Sequence, residues 1–153
     1  MLSDQRFIDI IQHTPLVSID FIILNDANEV LLGVRNNPPA KHYWFVPGGR
    51  IYKNETIVNA KKRIFKTEIG QEYQEGCDQF VGLYDHIYED NTFKIEGVGT
   101  HYVVSGWRVR LSSNEIKPDD QHSSFRWWKV EDALKEPRVH HLTKAYLEDV
   151  NNK

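Results

Sequence analysis

Apolar and polar positions alternate between two periods along this chain. Residues 16–24 (LVSIDFIIL) form a nearly continuous apolar run rich in β-branched residues, as a strand covered on both faces would be. Asp20 interrupts that run. Residues 30–35 predict a second strand after the turn-forming Asn25-Asp26-Ala27-Asn28, and 43–46 a short third. Further strands are expected at 79–88, 100–111 and 125–130. Helical spacing replaces the β pattern at 3–13, where Ser3 is a cap and Phe7, Ile8, Ile10 and Ile11 are apolar. It returns at 131–135 and 139–150. Between 56 and 70, Ile57, Ala60, Ile64, Phe65 and Ile69 fall on one arc, with Thr56 or Asn54 as cap and Gly70 as stop. Lys61 shares that arc and is expected to snorkel on its long stem. The alternation of strands and helices predicts an α/β fold.

Glu68 lies on the same arc, in the last helical turn, where the helix dipole disfavours a carboxylate by about 0.3–1 kcal/mol. Neither packing nor helix stability accounts for it readily, although a lysine-paired carboxylate at the helix edge is the plain alternative. Before the helix stands Gly48-Gly49-Arg50, expected to open a loop.

At 153 residues the chain is expected to form a single domain with its own core. Its 40% hydrophobic and 27% charged residues are ordinary for a globular protein. A net charge of −3 predicts neither a nucleic-acid nor a membrane partner. No stretch reads as a signal peptide or membrane span, and the single cysteine, Cys77, fits a reducing cytoplasm.

The spacing Gly49, Glu55, Arg63, Glu68, Gly70 resembles the Nudix box, the signature of hydrolases acting on nucleoside diphosphates linked to another moiety. Ile64 and Thr67 stand where that box ordinarily carries further glutamates, and Gln71 where it carries an apolar residue. This depletion, with TPLVSIDFI (14–22), YWFVPGGR (43–50), GTHYVV (99–104) and PDDQH (118–122), resembles the GDP-mannose mannosyl hydrolase branch.

The resemblance implies an α/β/α Nudix sandwich with a central mixed sheet, spanning residues 1–153. It implies hydrolysis of GDP-mannose, or of GDP-glucose, to GDP and free sugar by inverting attack of water at the anomeric carbon. Mg²⁺ would be held by the Gly48 carbonyl, Glu68 and Gln121, a hard oxygen set completed by diphosphate and water. His122 would be the general base. Arg35, Arg50 and Tyr102 would grip the departing diphosphate, and Asp20 would favour an oxocarbenium ion. His86 would contact substrate. Phe7 would stack on guanine, in a homodimer across the subunit interface. Read alone, Gln121 is equally a solvated loop amide, Arg35 a surface charge, and Asp20 a polar group satisfied by backbone donors. His86 and His101 are further candidates for the base, and Glu55 with Arg63 reads as a brace between loop and helix. Two other readings stay open: attack at phosphorus by an ordinary Nudix pyrophosphohydrolase, and a nucleotide-binding module without catalysis.

Overall fold

The computed structural model describes residues 2–112 and 125–152. Its elements, in order, are α1 (Asp4–His13), β1 (Leu16–Leu24), β2 (Glu29–Val34), β3 (Trp44–Phe45), β4 (Gly48–Arg50), α2 (Ile57–Ile69), β5 (Asp78–Tyr88), β6 (Thr100–Arg110), β7 (Arg126–Lys129), α3 (Val130–Lys135) and α4 (His141–Asn151). The strands join in one mixed sheet of order β3-β2-β1-β6-β5, with β4 paired to β1 and β7 to β2. Only β1 and β6 run parallel among these pairs. A parallel pair requires a crossover, and the path through β4, α2 and β5 supplies it.

Strand β1 is covered on both faces, as its apolar run predicts. Ile19, Phe21 and Ile23 meet Ala60, Ile64, Phe65 and Ile69 of α2 in one cluster. Ile22 and Leu24 point the other way, into a second cluster with Ala133 of α3 and Tyr146, Leu147 and Val150 of α4. Two residues per strand repeat thus divide one run between two cores. Asp20 shares the parity of Ile22 and therefore faces α4.

Three sequence expectations need correction. Gly48-Gly49-Arg50 is strand β4, not a loop, paired with β1 as Asp20↔Gly48, Ile19↔Gly49 and Ser18↔Arg50. The glycines permit this approach: a Cβ on Gly48 would collide with the Asp20 carboxylate and lie 2.6 Å from the Ile19 carbonyl oxygen. Lys61 does not snorkel. It is 5% exposed, with its ammonium 2.7 Å from Asp78 and 3.0 Å from the Trp107 ring centroid. Burial is tolerated because carboxylate and ring together replace the lost water. Ile57, expected on the buried arc, is 55% exposed because it opens the helix beyond the edge of the core. Elsewhere α2 follows its signals: Thr56 Oγ1 accepts from the Asn59 amide, and Gly70 closes the helix at φ 77°.

Candidate active site

The sheet opens into a cavity of about 200 Å³ on the α4 side, bordered by Asp20, Arg35, Gly48, Arg50, His86 and Tyr102. Each arrives by strand geometry. Tyr102 and His86 are register partners on β6 and β5 and share a face. Asp20 and Arg50 come from the paired β1 and β4. Arg35 follows β2, its amide bonded to the Tyr43 carbonyl and its carbonyl to the His42 amide, at the base of the 36–43 loop. A neighbouring cleft of about 630 Å³ shares Arg35, Phe45, Val46 and Gly48, and adds Thr67 and Glu68. Together the two spaces are of the size that holds a small-molecule ligand.

Charge in the cavity is set by burial. Burial pushes the Asp20 carboxyl up to about 7, opposed by a hydrogen bond from Tyr146 and by the charge of Arg35. The Tyr146 hydroxyl lies 2.7 Å from Asp20 Oδ2 and 3.3 Å from His86 Nε2. Burial first, then the charge of His141, hold the His86 imidazole down at about 4, so it is neutral at pH 7. With Asp20 ionised, Tyr146 donates to it and accepts from His86 Nε2–H. Burial raises the Tyr102 phenol above its ordinary range, opposed by the charges of Arg35 and Arg50. Among the described residues no carboxylate lies within ion-pair distance of Arg35 or Arg50. Both guanidiniums are instead set against rings, Arg35 over Phe45 at 5.2 Å and Arg50 over Phe7 at 4.1 Å.

The sequence-derived candidates therefore divide. Asp20, Arg35, Gly48, Arg50, His86 and Tyr102 come together in one cavity, and Glu68 shares the adjoining cleft with Gly48. Gln121 and His122 lie outside the described residues. Phe7 does not border the cavity; its ring meets Arg50 and, edge to face, Phe93. His101 is excluded from the cavity, because it lies on the other face of β6 and pairs with Asp85 at 3.3 Å. Tyr146 and Tyr88 were not singled out from the sequence. Tyr146 reads there as an ordinary apolar position of the last helix, and only its buried hydroxyl, which needs a partner, hints otherwise.

The box helix contributes a brace and one carboxylate. Arg63 Nε donates to Glu55 Oε1 at 2.7 Å, and its Nη2 donates to Glu55 Oε2 and to the Arg50 carbonyl at 2.9 and 2.6 Å. Ile64 is 1% exposed and sits against Gly49, so the position after Arg63 belongs to the core in this chain. Among the described residues no group of three metal-ligating side chains forms. Glu68 with the Gly48 main chain is an all-oxygen set, which suits a hard cation with few protein ligands and not zinc.

A mixed sheet between helices, opening onto two arginines beside a helical carboxylate, defines an α/β protein with a cationic cavity next to an acidic cleft. The model of the NUDIX domain matches residues 14–149, and the chain belongs to that family of Nudix hydrolases. It is 35% identical over 126 residues to the low-salt glycan biosynthesis protein Agl8 of Haloferax volcanii, covering 82% of this chain and 78% of that one. The structure of a MutT NUDIX hydrolase from Burkholderia pseudomallei is similar, with 26% identity, coverage of 90% and 99%, and a TM-score of 0.67. The fold is shared with the NUDIX domain of Shewanella oneidensis NrtR, solved with ADP ribose, at 16% identity, coverage of 99% and 98%, and a TM-score of 0.68. No helix among the described residues is long and apolar enough to cross a membrane.

Proposed function

We propose that the chain hydrolyses GDP-mannose, or a close GDP-sugar, to GDP and free sugar by attack of water at the anomeric carbon. The observation that carries this reading is the pairing of Arg35 and Arg50 on one cavity without a carboxylate partner among the described residues. Two such guanidiniums suit the oxygens of a diphosphate. The burial of Ile64 supports attack at carbon, since it removes from the helix a carboxylate that phosphorus-attacking relatives would be expected to use. The relative named for glycan biosynthesis supports a sugar-linked substrate.

In this reading His122 takes a proton from water as its oxygen bonds to the anomeric carbon, and the bond from that carbon to the diphosphate breaks. Arg35, Arg50 and Tyr102 hold the departing GDP, and Asp20 faces the positive charge that develops on the sugar. Gly48, Glu68 and Gln121 would hold Mg²⁺, which neutralises diphosphate charge when bound. His86 contributes a neutral ring to the wall. A cytoplasmic homodimer is the setting that accompanies this reading.

Hydrolysis in ¹⁸O-labelled water tests it. Label is expected in the sugar and none in GDP, with the inverted anomer formed first by NMR. Label in phosphate would make the chain a pyrophosphohydrolase, and no turnover of GDP-mannose, GDP-glucose or GDP-fucose would make it a binding module.

A further inference from the structure

Arg50 is held at two places. Its carbonyl accepts from Arg63, and its guanidinium lies 4.1 Å from the Phe7 ring centroid and 5.5 Å from that of Tyr52. Tyr52 also carries the Arg63 guanidinium, at 3.8 Å, and Arg63 is bound to Glu55. A ladder of alternating rings and cations thus runs from α1 through β4 to the middle of α2. Phe7 is itself backed by Phe93, ring to ring at 5.6 Å.

An aromatic face attracts a guanidinium through its quadrupole and leaves the N–H edge unspent. A carboxylate partner would have consumed those donors and cancelled the charge. The ladder therefore orders a long, rotamer-rich side chain while keeping it available to an anion, and pre-ordering of this kind raises affinity.

We infer that Phe7 and Tyr52 are positioning residues, which act through Arg50 and make α1 part of the anion site. The inference rests on the diphosphate-binding reading above. It departs from a base-stacking role for Phe7, because the Arg50 guanidinium already occupies the ring. A stacking Phe7 makes affinity depend on the nucleobase. A positioning Phe7 affects ligands with and without a base alike.

The test is calorimetric titration with inorganic pyrophosphate and with GDP, both in Mg²⁺, on the full chain. Phe7→Leu is expected to weaken both ligands by the same factor, about three- to tenfold, the usual worth of one cation–π contact. Phe7→Tyr should restore both. Tyr52→Leu, at a ring 47% exposed and clear of the packing of α1, should weaken both in the same ratio. In an Arg50→Ala background, Phe7→Leu should have no further effect. Weaker GDP binding with unchanged pyrophosphate binding would overturn the inference in favour of a base platform. So would a Phe7→Leu effect that persists at full size in Arg50→Ala. Wild-type protein that fails to bind pyrophosphate would overturn the anion site itself, and this inference with it.

Discussion

The Tyr146 hydroxyl reaches Asp20 across 2.7 Å, joining the last helix to the first strand at the floor of the cavity. His86 Nε2 lies 3.3 Å from the same oxygen, so one buried hydroxyl serves two polar groups, one on β1 and one on β5. Tyr146→Phe keeps the ring that fills the core and deletes only this oxygen. Urea unfolding is expected to show a loss of about 1–3 kcal/mol, the cost of leaving buried polar groups without a partner. An unchanged midpoint and slope would show that the hydroxyl carries no net stability.

Acid should destabilise the fold earlier than carboxylates alone would make it. His86 and His140 are both held down at about 4, by burial first and then by the charge of His141. An unfolded histidine titrates near 6.5, so between about pH 6.5 and 4 the unfolded chain binds the extra protons. The histidine contribution present above pH 6.5 is lost as the pH falls through that window, and the raised Asp20 carboxyl, which binds its proton first in the folded chain, offsets only part of it. His140 Nδ1 also accepts from the Leu142 amide at the start of α4. His140→Asn retains a capping acceptor and removes one titrating ring. The fall in melting temperature between pH 6.5 and 4 should therefore be shallower in this variant, and an identical slope would refute the assignment.

Lys61 and Asp78 form a pair with side chains only 6% exposed, on the sheet face opposite the cavity. Asp78→Asn is expected to cost about 3–5 kcal/mol in chemical denaturation, because it strands a buried ammonium. Lys61→Met with Asp78→Leu should recover much of that loss. Turnover below the unfolding transition should stay near wild type in both, since neither residue borders the site.

Glu68→Gln keeps size and removes the one box carboxylate beside Gly48. Weaker Mn²⁺ binding, read by electron paramagnetic resonance, is expected with an unchanged circular dichroism spectrum. Native metal affinity in this variant would move the metal elsewhere.

His122→Gln should lower kcat by about 10²–10⁴, the usual worth of a general base, and leave Mn²⁺ affinity intact. A kcat within twofold of wild type would remove His122 from the mechanism.

Local physics in the sequence determined the elements, while the candidate site residues came from a family resemblance. The apolar run from Leu16 to Leu24 is legible as a doubly covered strand because side chains alternate by two, and Thr56 and Gly70 bound α2 because their backbone chemistry is local. The quoted motif stretches contain Asp20, Gly48, Arg50 and Tyr102, and the family resemblance added Arg35 and His86; the fold gathers all six round one cavity. Only the tertiary structure decided what depends on neighbours distant in the chain. Gly48-Gly49-Arg50 reads locally as a loop and becomes a strand because β1 offers it an edge. Lys61 reads as a snorkelling surface residue and is buried because Asp78 and Trp107 arrive from β5 and β6. His86 and His101 are both histidines on adjacent strands, and pleat parity alone sends one into the cavity and the other to the opposite face. Phe7 meets Arg50, and Tyr146 meets Asp20, across contacts that no periodicity encodes, because in each a helix brings the ring to a strand distant in the chain.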